Sequence, residues 1–212
     1  MAAAGSRTPS GALLASAFLA RAAERLARGG VPDGDHVMNP DMAPPASVPL
    51  IDAAVLVPVV DREDGATVIL TQRTAELSRH AGQIAFPGGK IDPGDATPAM
   101  AALREAEEEI GLARMLVHVV GELPPYVSRT GFRIVPVLAG VAAEHVLTLN
   151  VSEVVEAFEV PLAFLLDPAN HRRATRSFAG KDRYFWEIPY GDRYIWGVTA
   201  GILRGLYEQV CL

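Results

Sequence analysis

Apolar and polar residues along this chain follow two different spacings, and the changes between them outline its elements. The first organised stretch is "GALLASAFLARAAERLARGG", in which Leu14, Phe18, Ala22 and Leu26 recur every fourth residue. That spacing predicts an amphipathic helix docked on the body by its apolar face. Its arginines interrupt the apolar part too early for a signal-peptide core, so docking is preferred over a cleaved leader. Residues 29–48, rich in Gly, Pro, Asp and Met, read as a linker.

"AAVLVPVV" (53–60) is an unbroken apolar run with β-branched residues, which predicts a buried strand. "REDG" supplies a turn, and "ATVILTQR" (66–73) returns as a second strand. Residues 74–85 read as loop, Pro87, Gly88 and Gly89 as breakers of any regular element, and "DPGD" (92–95) as a turn. Thr97 then caps a helix that opens on Pro98 and closes at Gly111. Further strands are expected at 115–123 and 132–141, and a short helix at 161–166. A hairpin over 183–197 turns at Gly191-Asp192, and "VTAGILRGLYEQV" closes the chain as a helix. Many strands with few helices predict an α/β or α+β sandwich.

Composition narrows the function classes. Half of the 212 residues are hydrophobic, enough for a substantial core. A formal charge of -6 argues against a sequence-independent nucleic-acid binder, which needs a basic surface. The single cysteine, Cys211, excludes an internal disulfide framework and a cysteine-based zinc site, and makes the cytoplasmic compartment the default. No apolar run approaches the roughly 20 residues that cross a bilayer, so no membrane partner is expected.

The chemistry concentrates in "FPGGKIDPGDATPAMAALREAEEEIGL" (86–112), where a glycine-proline loop leads into a helix with Glu105, Glu107, Glu108 and Glu109. Like charges at this spacing repel, so a compensating cation is implied. At about 100° per residue, Glu108 lies about 60° to one side of Glu105 and Glu109 about 40° to the other. These three share a face, while Glu107 points away to solvent. Leu103, Ala106 and Ile110 form the expected buried stripe, and the small Ala101 and Ala102 leave room for a ligand beside the acids. Three carboxylates on one face suit a hard cation such as Mg²⁺, which keeps waters and is completed by substrate phosphates. The loop before the helix offers backbone carbonyls to a metal and N–H groups to phosphate. A solvated acidic helix face is the plain alternative.

The segment resembles the Nudix box, G-x5-E-x7-R-E-U-x-E-E-x-G-U with U aliphatic. Arg104, Glu105, Ala106, Glu108, Glu109, Gly111 and Leu112 fall on its second half without a gap. In the first half, Lys90 and Ala96 occupy the expected Gly and Glu positions, and Gly89 and Asp95 match once one residue is inserted. Upstream, "LTQRTAELSRHAGQIAFPGG" (70–89) resembles the signature of coenzyme A pyrophosphatases within that group. Thr71, Arg73, Leu77, His80, Gly82, Gln83 and Phe86 to Gly89 match, with Thr74 in place of Ser and Ser78, beside Arg79, in place of Arg.

The resemblance implies a Nudix-type α-β-α sandwich with a mixed central sheet over residues 49–212, preceded by a helix and linker extension over 1–48. It implies Mg²⁺- or Mn²⁺-dependent hydrolysis of coenzyme A or an acyl-coenzyme A to 3',5'-ADP and 4'-phosphopantetheine. ADP-ribose or dinucleotide polyphosphate hydrolysis, and a non-catalytic nucleotide sensor, are the alternatives. Glu105, Glu108, Glu109 and Gly89 would hold the metal, and Glu105, Glu108 and Arg104 would carry the chemistry, with Arg104 pairing a helix glutamate. Arg73, Arg79, His80 and Lys90 would bind the anionic small-molecule substrate. Glu153 and Glu156 are general-base candidates by position, although ordinary surface acids is the simpler reading of each. His36, His118, His145 and His171 read as structural. Trp186, Tyr190, Tyr194 and Trp196 read as core aromatics of the hairpin, with adenine stacking as the alternative. The subfamily resemblance also admits a homodimer.

Overall fold

The computed structural model describes residues 13–45, 47–74, 82–178 and 180–212. Helix α1 (Ala15–Leu26) is followed by β1 (Asp33–Gly34), α2 (Asp35–Met38), β2 (Ile51–Val60), β3 (Thr67–Arg73), β4 (Ile84–Ala85) and β5 (Gly88–Lys90). Then come α3 (Pro98–Ile110), β6 (Val117–Glu122), β7 (Tyr126–Val127), β8 (Phe132–Val141), β9 (Val154–Pro161) and α4 (Leu162–Leu165). The chain ends with β10 (Arg172–Phe178), β11 (Lys181–Tyr190), β12 (Arg193–Trp196) and α5 (Val198–Cys211).

Strand β2 organises the main sheet. It runs parallel to β8 from Ile51–Phe132 to Val60–Val141, and antiparallel to β3 and to β5. Strand β3 also pairs with β4 and β9, and β8 with β6 and β7. With β1 parallel to β7, this is a mixed sheet of nine strands among the described residues. Ala54, Leu56 and Val60 of β2 pack toward α3, whereas Val57 and Val59 pack toward α1 and α5. Burial on both faces is why this strand reads as an unbroken apolar run. The layers are therefore α3, sheet, and α1 with α5: the expected α-β-α sandwich.

In α1, Ala15, Phe18 and Ala22 are buried and Leu26 packs against the same core. Leu14 departs from the expected stripe. It is the residue preceding the first turn and is 48% exposed.

The stretch read as linker is tied down on both sides. Asp33 and Gly34 pair with Tyr126 and Val127. Asn39 donates from Nδ2 to the Tyr184 carbonyl at 2.8 Å and accepts from the Tyr184 N–H at 2.9 Å. Asp41 pairs with Lys181 and Arg183. Every one of these partners is distant in sequence, so local composition gives no sign of the strap they form.

Strand β10 leaves no apolar-polar alternation in the sequence, because "RRATRSF" is almost wholly exposed. In the hairpin, Trp186 and Tyr190 pack on the core as expected. Tyr194 and Trp196 instead share the opposite face, stacked at 6.1 Å, and Tyr194 is 41% exposed.

Candidate functional site

Helix α3 starts where Thr97 Oγ1 accepts the Met100 N–H at 3.2 Å and stops at Gly111, whose φ of 65° is left-handed. Its buried arc differs from the expected stripe. Ala101, Ala102, Ala106, Glu109 and Ile110 are buried, whereas Leu103 is only partly so. The two alanines thus do not leave space for a ligand. They seat the helix closely on the sheet, and this close seating carries the acidic face inward.

Strand β5 receives that face. Gly88 and Gly89 pair with Val55 and Ala54 of β2, which corrects the expectation that these glycines break regular structure. A Cβ on Gly88 would lie 2.4 Å from the Ala54 carbonyl oxygen, and one on Gly89 would lie 2.5 Å from the Glu105 carboxyl carbon. Only glycine lets a strand edge and a carboxylate approach this closely.

Glu109 is 2% exposed. Its Oε2 accepts the Gly88 N–H and its Oε1 accepts from Arg73 Nη1, both at 3.1 Å. Burial pushes its carboxyl up to about 7; the Gly88 N–H and Arg73 oppose this, while the charges of Glu105 and Glu153 add to it. Burial also raises Glu105, with Arg104 opposing. Glu108 sits at the exposed rim, and Glu107 faces solvent beside Arg114 as expected.

Arg104 is the hub of the cluster. Nη1 donates to Glu105 at 2.9 Å and to Glu108 at 3.0 Å. Nη2 donates to Asp95 at 2.9 Å and to the Lys90 carbonyl at 3.1 Å. These bonds hold Asp95 below the usual carboxylate range and raise the arginine. The 92–95 turn keeps the motif's spacing from Gly89 to Asp95, with the Asp95 N–H reaching the Asp92 carbonyl and the Asp92 N–H reaching Asp95 Oδ2, both at 2.9 Å; the extra residue lies between Asp95 and Arg104.

Of the residues singled out in the sequence, Glu105, Glu108, Glu109, Arg104, Gly89 and Arg73 come together. Lys90 lies at the exposed end of β5 and contributes its carbonyl to Arg104. Arg79 and His80, with Leu77 and Ser78, lie outside the described residues.

The tertiary structure also separates the two general-base candidates. Asn150 N–H bonds the Glu109 carbonyl at 2.9 Å, and Thr74 N–H bonds the Glu153 carbonyl at 2.9 Å. These bonds bring Glu153 within electrostatic reach of both Glu105 and Glu109, with Asn150 Nδ2 donating to its Oε1 at 3.1 Å. Glu156 is instead held by Arg193 through two bonds of 2.8 and 2.7 Å and kept low in pKa by them. No spacing in the sequence distinguishes the two.

Among the described residues, no three acids or histidines form a ready-made metal cage. Arg104 holds two of the helix carboxylates, and Arg73 with Gly88 holds the third.

Comparison with known proteins places this geometry in context. The family pattern described as the NUDIX domain matches residues 50–178. An uncharacterized Nudix hydrolase NudL of Klebsiella pneumoniae is 42% identical over 158 residues, covering 74% of this chain and 82% of the relative. The protein of the same name in Escherichia coli K12 is 40% identical over the same coverage. Among solved structures, a MutT/nudix family protein from Enterococcus faecalis is 17% identical, covering 79% of this chain and 64% of that one, with a TM-score of 0.49.

Proposed function

The chain belongs to the Nudix hydrolases, and on that premise we propose that it cleaves the diphosphate of coenzyme A or an acyl-coenzyme A, releasing 3',5'-ADP and the (acyl-)4'-phosphopantetheine. One observation carries the reading. Arg73, from the coenzyme A pyrophosphatase-like signature, and Gly88, where that signature meets the box, both bond the buried Glu109. The substrate-related motif and the acidic helix are thus parts of one site.

The donor set fits a divalent cation, Mg²⁺ or Mn²⁺. Among the described residues, Glu105, Glu108, Glu109 and Asp95 are hydrogen-bonded by two guanidiniums, Arg73 and Arg104, with Glu153 close by, and burial disfavours ionised Glu105 and Glu109. Glu105, Glu108, Glu109 and the Gly89 carbonyl would hold the cation. When bound, it would neutralise the diphosphate charge and acidify a bound water.

The side chains supply the rest. Arg104 fixes the rotamers of Glu105 and Glu108 through its planar fork. Arg73 keeps Glu109 ionisable in a buried position. Glu153 Oε2 takes the proton of the attacking water, while Asn150 fixes Oε1. Lys90, Arg79 and His80 bind the phosphates of the substrate. Residues 49–212 form the catalytic domain and residues 1–48 its extension, and the enzyme works in the cytoplasm without nucleic-acid or membrane partners.

The test offers coenzyme A, ADP-ribose and a diadenosine polyphosphate in parallel with Mg²⁺ or Mn²⁺, wild type beside Glu109→Gln, with products read by mass spectrometry. Formation of 3',5'-ADP and 4'-phosphopantetheine, nearly lost in the variant, is the expected result. Cleavage of another diphosphate while coenzyme A survives overturns the substrate. Nucleotide binding without any turnover overturns catalysis in favour of a sensor.

A further inference from the structure

A cavity lies on the α5 side of the main sheet, away from α3. Its volume is about 340 Å³, at the lower end of the roughly 300–1,000 Å³ of small-molecule sites. The strap, β7, β11 and α5 enclose it, and Val31 and Val37 stand at its edge, 85% and 60% exposed.

Its walls are mainly apolar and aromatic, with Tyr126 and Trp186 contributing rings. Three charged residues line it: Asp33, Arg204 and Glu208. Arg204 is already committed, because Nε donates to Glu208 at 2.6 Å and the guanidinium lies over the rings of Trp186 and Tyr207 at 4.9 and 5.2 Å. Asp33 is not matched in this way. Its Oδ1 accepts the adjacent Gly34 N–H at 2.6 Å. Its Oδ2 points toward α5, 3.9 Å from where a Cβ on Gly205 would stand. Among the described residues no Lys, Arg or His forms an ion pair with it. Burial and the nearby Glu208 and Asp35 disfavour its charged form, with the Gly34 N–H and His36 opposing, and the net effect raises its pKa. A half-buried carboxylate held by no ion pair is costly, and an ammonium seated beside it offsets that cost.

We propose that this cavity binds a small organic cation, a protonated amine on an aromatic or apolar body. The ammonium sits against Asp33 Oδ2, with Glu208 adding negative potential. The apolar body lies against the wall to which Trp186, Tyr126 and Ile202 contribute. Gly205 keeps the floor open, since only Asp33 Oδ2 lies within 4 Å of a Cβ built there.

The test is a titration of the ¹⁵N-labelled full chain with phenethylammonium, followed by NMR, beside phenethyl alcohol and phenylpropionate at equal concentration. The amine is expected to give saturable shifts at Gly34, Gly205 and the Trp186 indole. The alcohol should bind about tenfold more weakly, and the carboxylate should not bind. Asp33→Asn should weaken the amine by about tenfold. Gly205→Leu, which fills the floor with a better helix former, should abolish binding while the rest of the spectrum stays folded. Glu105→Gln should leave it unchanged. The proposal fails if no saturable shift appears, if the three probes bind alike, if the shifts map to α3, or if binding survives Gly205→Leu.

Discussion

Asp95 and Arg104 meet with Oδ2 2.9 Å from Nη2, although eight residues separate them where the Nudix motif prescribes seven. The contact leaves Nη1 free to hold Glu105 and Glu108. Asp95 therefore acts on the site through Arg104 and need not touch substrate. Asp95→Asn is expected to lower kcat by about tenfold, as loss of a supporting partner does, with KM little changed and Asp95→Glu partly restoring it. Steady-state kinetics on all three proteins checks this. A fall confined to KM would sink it.

Glu109 links the site to pH. Its folded pKa of about 7 stands above the ordinary 4.5, so the fold disfavours its ionised form. As pH rises through that window the unfolded chain releases this proton first, and the metal-free protein loses stability. Added Mg²⁺ should restore it at pH 8 but not at pH 5, by on the order of a few degrees in Tm. In Glu109→Gln both the slope and the metal effect should vanish, and activity should fall by about a hundredfold or more. Thermal melts with EDTA and with Mg²⁺ decide the matter.

The two glycines of β5 separate stability from activity. Gly88 has a φ of 155° and its missing Cβ faces backbone, so Gly88→Ala should cost about 1–3 kcal/mol in urea unfolding. Gly89→Ala meets only the end of the Glu105 side chain, which can swing aside. It should unfold almost like wild type yet lose most of its turnover.

Asn39 fastens the strap to β11. Asn39→Ala leaves both backbone groups of Tyr184 without this partner and should destabilise the protein by about 1–3 kcal/mol. If urea unfolding is unchanged, the strap contributes nothing to the fold.

His171 acts in the opposite pH direction to Glu109. It is buried, donates from Nε2 to the Leu165 carbonyl at 2.7 Å, and among the described residues its Nδ1 has no hydrogen-bond partner. Burial lowers its pKa below the ordinary 6.5, so stability is complete above about 6.5 and falls as pH drops below it. His171→Gln, compared with Glu109→Gln in melts across this range, should flatten the acid-side loss alone.

How much was legible follows from the reach of each interaction. The cap of α3 by Thr97 and Gly111, the hairpin turn at Gly191 and the doubly buried β2 all depend on neighbours or on a regular spacing, and the sequence displayed them. The motif positions that converge on Glu109 were legible for the same reason, since a helix fixes which residues share a face. The rotation of that face inward was not, because it depends on how closely Ala101 and Ala102 seat on the sheet.

The sequence by itself determined the local chemistry of this protein: an acidic helix behind a glycine loop, and the strands and turns around it. The tertiary structure decided which acids work together. It joined Glu153 to the cluster, gave Glu156 to Arg193, and turned a linker into a strap. Those outcomes rest on hydrogen bonds and burial between residues far apart in the chain. Such contacts leave no periodic trace, because they are selected only when separate elements pack.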